Sequence, residues 1–243
     1  MMLHSTPKGV LNQNYANDRI KKNELHFRLK VRAKCACDAV CRHYHKTSGL
    51  QILDFGSAEG KTILEMNRLL PDSLICGIEY SKSLIEAAKK LPDNAFILQG
   101  DVCSIPKDIP ENTFDIITAL ACLEHLSNPV DAVKEAFRVL KTQGLLIITC
   151  PVPFWDNMAN KAGFLKEEHH ESVMDKRKLL SVVKEGGFQL VEYKRFMFAP
   201  VSFLPYLNIP VSIDFSLAFD DMIQRFKILN LLFVNQVVVC KKL

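Results

Sequence analysis

Gln51-Ile52-Leu53-Asp54-Phe55-Gly56-Ser57-Ala58-Glu59-Gly60-Lys61-Thr62 is the stretch on which the reading of this chain turns. It joins a short apolar run to a tight turn carrying two glycines, and then to the polar first turn of a helix. A strand–turn–helix junction of this kind aims backbone N–H groups and the positive end of a helix dipole at whatever lies beyond the strand. It predicts a nucleotide-type ligand at that spot.

Outward from the turn, apolar runs alternate with helical periodicity. Leu29, Ala33, Ala36, Val40 and Tyr44 recur at spacings of three and four and predict a helix from about Arg19 to His45. Strands are predicted at Gln51–Asp54, Leu74–Ile78, Ala95–Leu98, Phe114–Thr118, Leu145–Thr149, Phe188–Tyr193 and Phe233–Cys240. Between them, helices are predicted after Gly60 up to Pro71, from Ser81 through Lys90, from Pro129 behind Asn128 to about Lys141, and over Asp175–Lys184. The early strands are continuous apolar runs rather than alternating ones. The pattern therefore predicts an α/β fold whose mostly parallel sheet is covered on both faces. Residues 196–230, rich in Phe, Pro and Leu, separate the last two strands as an apolar insertion too long for a structureless loop. Such an insertion serves as a lid over a lipophilic ligand, a homodimer surface or part of the core.

With 243 residues, 48% hydrophobic and 24% charged, the chain has length for a real core and the balance of an ordinary globular protein. A formal charge of +4 spread along the sequence calls for neither nucleic acid nor an anionic surface. The polar first 18 residues carry no secretory pattern, and no apolar window reaches spanning length. Eight cysteines scattered through predicted strands and helices read as reduced thiols of a cytoplasmic protein. The run Cys35-x-Cys37-x3-Cys41-x-His43-x-His45 places residues 37, 41 and 45 on one helical face. It lacks a CxxC pair and borders the apolar stripe, so buried thiols are the expectation and no metal is assigned.

Three cofactor classes share the grammar of the turn. A phosphate loop needs a glycine at position 55, where Phe stands, and Glu59 would put a carboxylate inside the anion cradle. A dinucleotide fingerprint counted from Gly56 needs glycines at 58 and 61, where Ala58 and Lys61 stand, and Asp54 would repel a pyrophosphate. A cationic cofactor reverses that objection. Asp54, Glu79 and Asp101 close the first three strands, and Glu59 lies in the turn. In an open parallel sheet these positions surround the ligand crevice beyond the carboxyl ends of the strands. Acceptor-only groups suit a sulfonium, an ammonium, a ribose diol and an adenine amine.

Leu53-Asp54-Phe55-Gly56-Ser57-Ala58-Glu59-Gly60 resembles the first motif of the class I S-adenosylmethionine-dependent methyltransferases, in the small-molecule branch with a type 11-like domain. Ala58 departs from that motif, which usually has a middle glycine; alanine fits only if residue 58 is not left-handed. Glu79 matches the acid that grips the ribose hydroxyls, and Gly100-Asp101-Val102 resembles the adenine-contacting segment. Phe114-Asp115-Ile116-Ile117-Thr118-Ala119-Leu120 is similar to the fourth motif, and Leu123-Glu124-His125-Leu126 to the turn after it. Phe137-Arg138-Val139-Leu140-Lys141 with Gly144 is similar to the following helix and strand.

The resemblance implies a doubly wound Rossmann-like sheet of seven strands with the last antiparallel, spanning residues 49–243 behind an N-terminal helical extension, residues 1–48. It implies S-adenosylmethionine as cofactor and S-adenosylhomocysteine as product, held by Asp54, Gly56, Ser57, Ala58, Gly60, Glu79, Tyr80, Asp101, Val102, Ala119 and Leu120. The methyl acceptor is a small or lipid-like molecule. His125, just past the fourth strand, is the candidate base, with backbone shaping of the turn as its other reading. Tyr15, Trp155, His169 and His170 are the acceptor-side candidates. Two further functions stay open: an S-adenosylmethionine-binding scaffold without catalysis, and a nicotinamide oxidoreductase.

Overall fold

Alternate residues of each central strand go to opposite layers, which is how a continuous apolar run is used in full. Ile52, Ile116, Leu145, Ile147, Val237 and Val239 pack into one cluster, while Leu53, Ile117, Leu146, Ile148, Val238 and Cys240 pack into another. The computed structural model describes residues 22–88, 90–161 and 171–243.

The sheet has seven strands in the order β3-β2-β1-β4-β5-β7-β6. These are β1 Gln51–Phe55, β2 Leu74–Glu79, β3 Ala95–Gln99, β4 Phe114–Leu120, β5 Leu140–Pro151, β6 Gln189–Phe198 and β7 Phe233–Lys241. β1 pairs in parallel with β2 and β4, β3 with β2, and β5 with β4; β7 runs antiparallel between β5 and β6. Strand order reverses between β1 and β4, so their carboxyl ends open the crevice that such sheets offer to ligands.

One face is covered by helices α1 (Asn23–His43) and α2 (Lys61–Leu69), and the other by α4 (Pro129–Val139) and α6 (Lys176–Glu185). α1 buries Val31, Ala33, Cys35, Ala36, Ala39 and Val40 in the same cluster as α2 and the sheet, so it forms a layer of the core. The short α3 (Lys82–Glu86) follows β2, α5 (Pro153–Lys161) follows β5, and α7 (Ala199–Ser202) and α8 (Ile213–Ile223) follow β6.

Several boundaries differ from expectation. The predicted helix through Lys90 is only α3. Ser81 makes no side-chain cap, and the helix tightens as Ala88 N–H donates to Ile85 O three residues back. α5 lies outside the predicted helices, and Pro153 takes its first helical position, where proline is favoured. β6 runs on to Phe198 because it is an edge strand, where charged Lys194 and Arg195 are tolerated. In keeping with its length, the apolar insertion carries α7, α8 and two 3-10 turns, Leu204–Leu207 and Lys227–Leu232.

Candidate functional site

The turn after β1 is fastened to β2 by its backbone. Gly56 and Ser57 N–H both donate to Ile78 O, at 2.9 and 3.3 Å, and Gly60 N–H closes onto Ser57 O. Gly56, Ala58 and Gly60 all take left-handed φ, at +70°, +48° and +77°. The expectation that Ala58 avoids this region is therefore corrected. Closing so tight a turn requires the conformation, and the residue bears a cost of about 1–2 kcal/mol for it. Glu79 offsets part of that cost, since its Oε2 accepts the Ala58 N–H at 2.9 Å while Oε1 accepts Ser81 N–H at 2.7 Å. Burial pushes the Glu79 carboxyl up, and the N–H groups of Ser81, Ala58 and Tyr80 work against it. A carboxylate offers about four acceptor positions, so acceptor capacity remains beyond these N–H groups.

Asp54 lies beneath the turn. It is 1% exposed and accepts a hydrogen bond from the Thr118 hydroxyl at 2.7 Å, across the β1–β4 pair where the two residues face each other. Ser57 is equally buried, and its hydroxyl donates to Asp54 O at 3.1 Å. Glu59 is buried too, with the Lys61 ammonium 3.6 Å away. Three carboxylates, Asp54, Glu59 and Glu79, thus gather at one end of the sheet. Cys122 sits among them: burial, with Glu124, Glu79 and Asp54 close by, holds its thiol well above the usual range, so it stays protonated at neutral pH. A Cβ at Gly56 would fall 2.9 Å from its sulfur, so glycine is required there on two counts.

The remaining positions spread around this centre. Tyr80 is exposed, directly past Glu79. Asp101 is exposed and turns inward on its own chain, accepting Cys103 N–H at 2.8 Å, while Val102 is buried against the α4 side of the sheet. Ala119 is buried and Leu120 half-buried at the end of β4, followed by Ala121 in another left-handed conformation, φ +56°. His125 ends the 3-10 turn Leu123–His125, half-buried, its backbone N–H donating to Cys122 O. The segment at Glu171 and Ser172 returns over this turn, both N–H groups donating to Glu124 O.

Trp155 lies on α5 with its indole N–H given to Leu231 O at 2.9 Å, so it offers an acceptor only an apolar ring. Tyr15, His169 and His170 lie outside the described residues.

Sequence reasoning overlooked Thr118, Cys122 and Gly77. At Gly77 a Cβ would meet Ser57 Oγ at 2.1 Å, so the turn can tuck against β2 only over a glycine. A glycine inside an otherwise apolar strand is the signal that points to such a close approach. In the cysteine run of α1, burial raises the Cys35 and Cys37 thiols to about 12, Cys41 is exposed, and His43 pairs with Glu192 at 2.6 Å. Among the described residues no three His, Cys, Asp or Glu side chains converge as a metal site.

Residues 53–148 match the family described as a methyltransferase domain. An uncharacterised methyltransferase of Bacillus subtilis, YcgJ, is 26% identical over 70% of this chain and 65% of its own length. A ubiquinone biosynthesis O-methyltransferase of Bradyrhizobium diazoefficiens is 28% identical over 50% of this chain and 51% of its own length. The chain thus spans about half to two-thirds of the length of these relatives. The plantazolicin methyltransferase BpumL, solved in complex with S-adenosylhomocysteine, shares the fold at a TM-score of 0.65 and 15% identity, covering 94% of this chain and 89% of that one.

Proposed function

We propose, on the premise that this chain belongs to the class I S-adenosylmethionine-dependent methyltransferases, that it transfers a methyl group to a small or lipid-like acceptor. The observation that carries this reading is the gathering of buried carboxylates, Asp54, Glu59 and Glu79, about a turn of positive-φ backbone at the carboxyl edge of the sheet. That donor set fits a ligand bearing a cation and a diol and opposes a phosphate. When bound, S-adenosylmethionine supplies an electrophilic methyl on its sulfonium.

The chain's own residues have the following roles. Glu79 would hold the ribose hydroxyls with its remaining acceptor capacity, and Asp101 and Val102 would take the adenine. The backbone of residues 56–60 and 119–120 closes around the amino-acid end, and Asp54, held in place by Thr118, supplies the negative field that favours a cation there. Much of the rate comes from holding the acceptor atom in line with the methyl, with a base needed only for an acceptor that must lose a proton. His125 is assigned that role. The curated relatives include enzymes named for ubiquinone and demethylmenaquinone, which favours an acceptor of that apolar kind. We place the reaction in the cytoplasm.

The test is release of S-adenosylhomocysteine on a panel of phenols, quinols and amines. Turnover on at least one acceptor is expected. With a hydroxylated acceptor, His125→Ala should lower kcat by about 10²-fold or more with KM little changed. Binding of the cofactor without turnover on any acceptor would leave a scaffold of the same fold.

A further inference from the structure

The carboxyl edge of the sheet carries an exposed apolar surface that methyl transfer alone does not explain. Phe154 on α5, Phe203 and Leu207 after α7, and Phe226, Ile228 and Leu231 before β7 are all exposed, Ile228 to 82%. Side-chain contacts join these pieces, although α5 and the insertion lie far apart in sequence. The Trp155 indole donates to Leu231 O; its ring lies 6.0 Å from Phe203 and meets Phe154 edge-on at 5.5 Å. β5 ends at Pro151 and β6 at Phe198, and β7 starts at Phe233, so the surface continues the rim on which the candidate site opens.

Its charge decides what it fits. From Met222 to Leu232 the charged residues are Arg225 and Lys227, both exposed, flanking Phe226 and preceding Ile228. Of the exposed acids in the insertion, Asp221 is 3.4 Å from the Lys194 ammonium, and Asp214 acts on Lys34 of α1. A two-fold dimer through this surface would set the cations of one copy against those of the other. Protruding apolar side chains interleaved with cations match the boundary of an anionic bilayer, where the chains enter the acyl edge and the cations meet headgroup phosphates. We infer that this surface, built by Phe226, Ile228 and Leu231 with Arg225 and Lys227, docks the protein on anionic lipid membranes. Docking there holds the site rim against the lipid phase, with no helix among the described residues able to cross it.

The test is flotation of the purified full chain with vesicles of phosphatidylcholine, alone or mixed with phosphatidylglycerol. The protein should float with the mixed vesicles at least about tenfold more than with phosphatidylcholine alone, and less as salt rises. R225Q/K227Q should abolish the preference for the mixed vesicles. F226S/I228S/L231S should abolish flotation. Calorimetry with S-adenosylhomocysteine reports separately that each variant keeps its fold and its cofactor site. The proposal is overturned if the wild-type chain floats no better with anionic vesicles, or if the triple variant floats as the wild type does. It also falls if the chain ignores vesicles and is a dimer in light scattering that the triple variant converts to a monomer. Loss of flotation with intact cofactor binding bears on the docking surface alone, and the reverse result on the methyltransferase reading alone.

Discussion

Ala58 is the residue at which the motif and the physics disagree most. Its φ of +48° is one that an alanine adopts only when its surroundings impose it, and here Glu79 and the Ile78 carbonyl do so. Ala58→Gly should therefore stabilise the chain by about 0.5–1 kcal/mol in urea unfolding, after the greater unfolded-state freedom of glycine is counted. A loss of stability would mean that the methyl, packed beside Leu84, matters more than the strain. Gly77 shows the opposite dependence. Gly77→Ala should destabilise by roughly 2 kcal/mol or more through overpacking, and Ser57→Gly in the same chain should return part of that loss, because the added methyl would clash with Ser57 first and with Ile63 second. Equal losses in the single and double variants would refute the coupling. At this scale the acids and glycines of the site are legible in the sequence because their chemistry is local. Thr118 and Cys122 are not, because their relation to Asp54 and Gly56 exists only after β1 and β4 pair.

The insertion shows what an element owes to a single side chain. Asp220, on α8, accepts the N–H groups of Met197 and Phe198 at 2.6 and 2.9 Å, where Met197 turns left-handed at the end of β6. Burial raises this carboxyl from 3.8 to about 6, outweighing those two bonds. The folded chain thus holds a proton that the unfolded chain has released between those values, so this group's contribution to stability falls as pH rises from about 4 to about 6 and is level above. The full span corresponds to roughly 2–3 kcal/mol. Asp220→Asn should flatten the pH dependence of unfolding over that window; an unchanged slope would assign it to other groups.

The strands are legible in the sequence because apolar β-branched runs bounded by glycine and proline are local signals. The insertion's helices are not, because Phe196 to Leu232 mixes prolines, aromatics and acids without a clean period, and α8 is set by its packing on β6 and the Asp220 bond. α5 escapes notice for a different reason: a proline marks a strand's stop and a helix's first residue alike.

Across the whole molecule, three buried carboxylates gather at one edge of the sheet. Ala58, Ala121 and Met197 take positive φ at the carboxyl ends of β1, β4 and β6 or just beyond them, on the side where Asp54, Glu59 and Glu79 gather, and Asn112 and Gln143 take it at the amino ends of β4 and β5. The amino edge is instead a satisfied network: Asp115 accepts from Tyr44, Gln51 N–H and Lys141, and its carboxyl is held below the ordinary range by those bonds although burial opposes them. The two edges thus differ in their side chains, buried acids at one and a bonded polar network at the other, rather than in backbone strain. The central claim is that the carboxyl edge receives a cationic nucleoside through Glu79. The most direct measurement is calorimetric titration with S-adenosylmethionine and S-adenosylhomocysteine, on the wild type and on Glu79→Gln, with NADH as control. The account predicts one-to-one binding of both sulfur ligands to the wild type, an affinity at least about tenfold weaker in Glu79→Gln through the lost charge-assisted hydrogen bonds, and no heat from NADH. Unchanged affinity in Glu79→Gln, or binding of NADH and of neither sulfur ligand, would contradict it.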